Sequence, residues 1–341
     1  MMNVTEDSES NTHHFSQQVL TTIVMTVTFL VGVPGNMMVI WITCWKMKRT
    51  VNTIWFWNLA MADVTCCLFI PLSIVQLFHG EWLYGPALCK ILPVIVHLTM
   101  FASVFTLVAI SIDRCLLVVQ PVWAQNKRSL RMAWALCVVI WMLSFLMCLP
   151  AVLHRKTILY DNITFCLYIY DEDYDDDAID HSLSHNSTDE DYQIPPLDIT
   201  ITFTRMIFGF LIPLLIVSSS YILLASKVQS SRLFKVGRKT TKVVLCIVVA
   251  FFVTWAPYHI IGVIMLYFSN TIVETLNSLS VALVYLNSCI NPILYVFMGK
   301  DMKKRVQQSV RMLMQNAFSE EVSRSTERTR SKLTTEDSMA F

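Results

Sequence analysis

The sequence predicts an all-α membrane protein: a bundle of seven transmembrane helices followed by a short amphipathic eighth helix. Three observations predict it. The chain of 341 residues is 55% hydrophobic and only 15% charged, with a mean hydropathy of +0.53, whereas soluble domains carry about 25% charged residues. The apolar residues form seven long blocks, near 19–45, 53–78, 87–119, 132–153, 199–226, 240–268 and 274–298. Each is long enough to cross a bilayer, some with tilt, and a lone segment in lipid must satisfy its own backbone as a helix. Lys and Arg, finally, are divided unevenly between the connecting loops.

One set of loops, near 46–49, 127–131, 227–242 and 300–311, holds 17 of the 26 Lys and Arg residues, and the other set holds Arg155, Lys156 and little else. The basic set is therefore cytoplasmic and the N-terminus outside. The three N-glycosylation sequons, at Asn3, Asn162 and Asn186, all fall on that outer face. Residues 1–18, the expected extracellular N-terminus, are polar and acidic. They lack the basic start and short apolar core of a cleavable signal, so the first block is expected to act as a signal anchor. The net charge of +1 says nothing about partners; membrane lipid is expected and nucleic acid is not. No nucleophile–base set or metal-spaced His/Cys cluster points to an enzyme, and paired broken helices, the mark of transporters, are absent.

Taken in order, the first block carries Gly35-Asn36 and the second carries Asp63. An ionisable group inside a membrane is costly and defaults to function. With Asn36, Ser103, Asn287, Ser288 and Asn291, Asp63 reads either as a small hard-cation site or as a protonated or water-bridged acid in a structural polar network. The third block is the axis of the chain. Between Lys90 and Asp113 it has no charged residue, and from Cys89 to Arg114 it spans about 38 Å as a helix. A cysteine stands at its outer end. Asp113-Arg114 stands at its inner end, facing an expected intracellular partner. Eight of the ten cysteines lie in or beside apolar blocks and read as small hydrophobes. Cys89 and Cys166 alone sit where an outer loop is expected.

The fourth block holds Trp141. The outer loop after it, 154–198, has eleven acids and no Lys or Arg from Asp171 to Asp198, so its centre is expected to be solvated and self-repelling. Tyr174, then Tyr170 and Tyr192, abut acidic runs that suit tyrosine sulfation; ordinary loop tyrosines are the other reading. The fifth block buries Arg205 a turn or more deep, where an unpaired arginine costs about 2.5–3.5 kcal/mol on insertion scales. It needs a partner. In the sixth, Trp255-Ala256-Pro257 supplies a kink, because proline removes a backbone bond. The seventh ends in Asn291-Pro292-Ile293-Leu294-Tyr295. Residues 299–316 read as a basic amphipathic helix lying on the membrane. Residues 317–341 read as a disordered cytoplasmic tail, in which Ser319, Ser323, Ser325, Thr326, Thr329 and Ser331 suit phosphorylation.

Gly35-Asn36, Leu59-Ala60 with Asp63, Cys89, Asp113-Arg114, Trp141, Pro213, Phe251 with Trp255 and Pro257, and Asn291-Pro292-x-x-Tyr295 together resemble the rhodopsin-like (class A) G-protein-coupled receptors across all seven blocks. KRTVNTIWFWNLAMAD, MFASVFTLVAISIDRCL, ITFTRMIFGFLIP, NSCINP and GKDMKKRVQQS are similar to the anaphylatoxin and chemoattractant group of that family, nearest its complement component 3a branch. The resemblance implies a plasma-membrane receptor, not an enzyme. Its implied ligand is the complement component 3a anaphylatoxin, a small basic protein ending in a free arginine. A receptor for component 5a or another chemoattractant peptide, or a non-signalling scavenger, is the alternative. Implied partners are heterotrimeric G proteins of the inhibitory class, arrestin and receptor kinases, with signalling in inflammation and chemotaxis.

The resemblance also assigns residues. It pairs Cys89 with Cys166, as oxidising extracellular conditions permit. It makes Asp63, Ser103, Asn287 and Asn291 a sodium site, the ion acting as an allosteric modulator and no other cofactor being expected. It gives the carboxylate of the ligand's terminal arginine to Arg205, with Arg155 as second contact; snorkelling to the interface is the other reading of Arg155. Relatives place an Asp early in the seventh helix for the ligand's guanidinium. Asn277 stands there in this chain, with Glu274 one turn earlier as a substitute. His97, Tyr258 and His259 either line the same cavity or are satisfied interior polar residues. The acidic loop would attract a basic ligand. Asp113, Arg114, Tyr221, Trp255, Pro257 and Tyr295 form the switch, Asp113 holding Arg114 at rest. Cys115 and Thr254 depart from the usual tyrosine and cysteine.

Overall fold

A computed structural model describes residues 3–79, 81–168, 196–230, 238–268, 270–298 and 308, with side chains over 15–79, 81–167, 196–227, 244–268, 270–294 and at 308. Tyr170, Tyr174, Tyr192, Asn186, the tail serines and threonines and nearly all of the expected eighth helix lie outside the described residues. So do the side chains of Asn3 and Tyr295.

Seven helical spans are long and apolar enough to cross a membrane: Phe15–Lys46, Val51–His79, Gly85–Val119, Leu130–His154, Pro196–Lys227, Val244–Tyr267 and Thr271–Leu294. They are numbered first to seventh here. The chain is a multi-pass membrane protein, with each span within a few residues of its apolar block. Helix begins earlier than that pattern marks, at Asn3. The third span is the centre of the bundle, 61% buried against 44% or less for the others, and it packs on the second, fourth, fifth and sixth. Apolar side chains such as Met142, Leu215, Ile222 and Ile260 point outward. Asn36, Asn58, Asp63, Ser103, Asn287 and Asn291 are buried, so the polar groups are inside, where other spans can satisfy them.

Local chemistry explains the breaks. Thr50 and Thr53 form a reciprocal cap that starts the second span. That span is interrupted at Phe69, two residues before Pro71, whose missing N–H cannot bond the Cys67 carbonyl. The fifth span contains a turn of π-helix, Ile207–Leu211, just ahead of Pro213, which cannot donate to the Gly209 carbonyl. The third and fifth spans approach closely at Gly209, where a Cβ would lie 2.8 Å from Met100 Cε and displace the tip of that side chain.

The loop after the fourth span is not wholly irregular. Arg155–Tyr160 (β1) and Ile163–Tyr168 (β2) form an antiparallel hairpin with Thr157 opposite Cys166. Its two-residue turn, Asp161-Asn162, has positive φ at both positions, 47° and 62°, which Asp and Asn tolerate better than most residues. The exposed Asn162 sequon is therefore at the hairpin tip. A disulfide joins Cys166 to Cys89 with Cα atoms 5.6 Å apart. Trp82 closes the corner by donating its backbone N–H to the Thr164 carbonyl at 2.6 Å and packing on Cys89 and Leu92.

Candidate functional site

At the hairpin end the third, fifth and sixth spans bring His97, Arg205 and Tyr258 to one point. His97 Nε2 is 2.9 Å from the Tyr258 hydroxyl and 2.9 Å from Arg205 Nη1, and His97 Nδ1 is 2.9 Å from the Pro93 carbonyl. The Arg205 guanidinium carbon stands 4.7 Å over the Tyr258 ring, a cation–π contact. Among the described residues, Arg205 Nε is buried without a hydrogen-bond partner and no ion pair joins Arg205 to a carboxylate. His259 is also buried. Neither of its nitrogens is hydrogen-bonded among the described residues; its ring packs on Phe210 and Trp255 at 5.2 and 6.1 Å between centroids.

Arg205 and His97 line a cavity of about 80 Å³ with Phe101, Met147, Leu197 and Thr204. One turn along the third span, Pro93 lines a second cavity of about 530 Å³ with Gln17, Thr21, Ser73, Gln76 and Tyr285. Arg155 opens β1, and its Nη1 lies 3.5 Å from Cys166 Sγ, so this guanidinium packs against the disulfide. Glu274 is exposed at the start of the seventh span, its carbonyl accepting from Gln17 and Ser278. Asn277 is half-buried one turn inward. Neither lines the two cavities. The chemistry of the cluster is that of an anion receptor: a planar cation lines the cavity, and a carboxylate accepts two parallel N–H bonds from such a fork.

Between the two ends runs a polar core. Asn36 Nδ2 donates to the Ser288 carbonyl at 2.7 Å, and Asn58 Nδ2 to Thr106 Oγ1 at 2.7 Å. Trp141 Nε1 donates to Asn58 Oδ1 at 2.9 Å. Asn291 Nδ2 donates to Asp63 Oδ2 at 2.7 Å, and Ser288, absent from the set the resemblance implies, is buried near the same carboxylate. Ser103 and Asn287 are buried; Asn287 Oδ1 is 3.3 Å from Thr254 Oγ1. One carboxylate among amide and hydroxyl oxygens is a donor set that fits a hard cation. Trp255 is buried on Phe251, ring centroids 5.7 Å apart, with its indole N–H unpartnered among the described residues.

At the opposite end the arrangement differs from the expected Asp113–Arg114 lock. Asp113 and Arg114 do pair, at 3.7 Å, but the close partner of Asp113 is Arg128, whose Nε and Nη2 donate to its two oxygens at 2.7 and 3.1 Å. Arg128 caps the short helix Pro121–Lys127, which carries its guanidinium back to the third span. Asn52 Oδ1 accepts from Arg128 Nη2 at 2.7 Å and from Arg114 Nη2. The Tyr221 hydroxyl is buried beside Ser111 and Arg114. Sequence reading missed Arg128 and Asn52 because their role is a contact across 15 to 76 positions of chain. A basic residue in a cytoplasmic loop and an asparagine in a helical first turn carry no local signal of it.

Residues 35–295 match the model of the 7 transmembrane receptor (rhodopsin family). The chain is 44% identical to the C3a anaphylatoxin chemotactic receptor of Oncorhynchus mykiss, over 93% of this chain and 84% of that one. To the receptor of the same name from Homo sapiens it is 31% identical, over 90% of this chain and 92% of that one. That alignment runs to 444 positions, more than this chain has, so the human protein carries long insertions relative to it. To the C5a anaphylatoxin chemotactic receptor 1 of Pan troglodytes it is 36% identical, over 94% and 87%.

Proposed function

The chain belongs to the rhodopsin family of seven-transmembrane receptors, and from that premise we propose that it is a plasma-membrane receptor for the complement component 3a anaphylatoxin that signals through heterotrimeric G proteins. The observation that carries this reading is Arg205: a cation at a cavity, held by His97 and Tyr258 with no carboxylate partner among the described residues. A peptide ending in a free carboxylate supplies that partner, with Arg155 under the disulfide as second contact. Relatives named for the same anaphylatoxin support the choice of ligand.

In this reading the N-terminus, the hairpin and the acidic loop face outward, and the acids raise the association rate of a basic ligand. Ligand contact biases the helix at Pro257 through Trp255, and Val104, Pro213 and Phe251 repack beneath it. Arg114 leaves Asn52 to meet the G protein, of the inhibitory class, while Tyr221 and Tyr295 move inward. Asp63, Ser288 and Asn291, with Ser103 and Asn287, would hold a sodium ion, whose charge would favour the resting packing. Receptor kinases and arrestin act on the tail, residues 299–316 lie along lipid, Asn3, Asn162 and Asn186 carry glycans, and Tyr174, Tyr170 and Tyr192 carry sulfate. A receptor for component 5a is the second reading, favoured by the Pan troglodytes relative and by Asn277 in place of an acid.

The test is G-protein activation in cells expressing the chain, with component 3a, component 5a and arginine-trimmed component 3a. Full-length 3a is expected to activate and the trimmed form to lose potency. Activation by 5a alone establishes the second reading. Binding and arrestin recruitment without G-protein activation make the chain a scavenger.

A further inference from the structure

We propose that His97 is the positioning residue for Arg205: a neutral imidazole protonated on Nδ1, it accepts a hydrogen bond from the guanidinium and fixes it, still carrying its full charge, where a ligand carboxylate arrives. The inference rests on the reading of this cavity as the seat of a peptide's terminal carboxylate.

The tautomer follows from the partners. A backbone carbonyl only accepts, so the nitrogen 2.9 Å from the Pro93 oxygen, Nδ1, carries the proton. Guanidinium nitrogens only donate, so Nε2, 2.9 Å from Arg205 Nη1, offers its lone pair. The Tyr258 hydroxyl, 2.9 Å from the same Nε2, approaches that lone pair as a second donor. His97 thus orients the cation without neutralising it. A carboxylate in its place would orient Arg205 equally well but would cancel the charge the ligand needs. The guanidinium also meets the Tyr258 ring face at 4.7 Å, a contact that likewise leaves the charge intact.

The test compares two synthetic peptides of the anaphylatoxin C-terminus, one a free acid and one a C-terminal amide, by G-protein activation in the full-length receptor and two variants. His97→Asn keeps a donor near the Nδ1 position and loses the acceptor at Nε2. His97→Gln keeps an acceptor at about that reach. The wild type is expected to prefer the acid by about tenfold or more. His97→Asn is expected to shrink that preference to about threefold or less by losing potency for the acid alone, while His97→Gln keeps most of it. The proposal is overturned if His97→Asn lowers acid and amide potency alike, or if Asn and Gln both keep the wild-type ratio. Equal potency of acid and amide on the wild type would instead bring down the cavity reading on which the proposal rests.

Discussion

The two arginine clusters at opposite ends of the third span solve opposite problems. At the hairpin end Arg205 is held by an imidazole and an aromatic face. At the basic end Arg114 and Arg128 share one carboxylate and one amide oxygen. The first leaves a positive charge with no carboxylate among the described residues; the second sets the Asp113 carboxylate and the Asn52 amide oxygen against its two guanidiniums. A guanidinium away from water is expensive unless paired, so the first cluster is built to accept an anion from outside and the second is closed until something pulls it apart. The polar core that joins them, from Trp141–Asn58 to Asn291–Asp63, belongs to neither.

Substitutions that act on one cluster alone break or sharpen this contrast. Cys89→Ser should have the largest effect. It frees the hairpin that roofs the Arg205 cluster and costs about 2–5 kcal/mol, as loss of a native disulfide does. Thermal unfolding in detergent and surface expression should both fall, with the Asp113–Arg128 pairing intact. Arg205→Gln should follow, lowering potency for a ligand with a free C-terminus by roughly 30-fold or more while leaving ligand-independent signalling unchanged. Arg128→Ala works on the other cluster. Removing three charge-assisted bonds, two to Asp113 and one to Asn52, from a largely buried pair should raise ligand-independent G-protein activation about threefold to tenfold, with ligand affinity altered little. The smallest effect belongs to Asn277→Asp. A carboxylate at this half-buried position should raise potency for an arginine-terminated ligand about twofold to fivefold; a fall would place the ligand's guanidinium elsewhere.

The seven spans and the family were legible because a bilayer imposes length and apolarity on every crossing segment, a constraint written in contiguous sequence. The Cys89–Cys166 bridge was legible from the resemblance. The β-hairpin was missed although its signal was present: Asp161-Asn162 between two β-branched stretches, TILY and ITFCLY, is a two-residue hairpin signature, overshadowed by the acidic run behind it. The Arg128–Asp113 pairing and the shared acceptor Asn52 left no such trace, because each is a meeting of two helix ends that only packing brings about. His259 shows the limit in another way. As a sequence feature it is a polar residue beside Tyr258, and only the fold shows it packed on Phe210 and Trp255 without a hydrogen bond among the described residues.

The most direct measurement is the ratio of potencies of the free-acid and C-terminally amidated anaphylatoxin peptides on the wild type and on Arg205→Gln. If Arg205 holds its charge for a ligand carboxylate, the wild type prefers the acid by about tenfold or more and the variant brings the ratio near one. A variant that keeps the wild-type preference for the acid would contradict it, and the uncompensated arginine would then have another purpose.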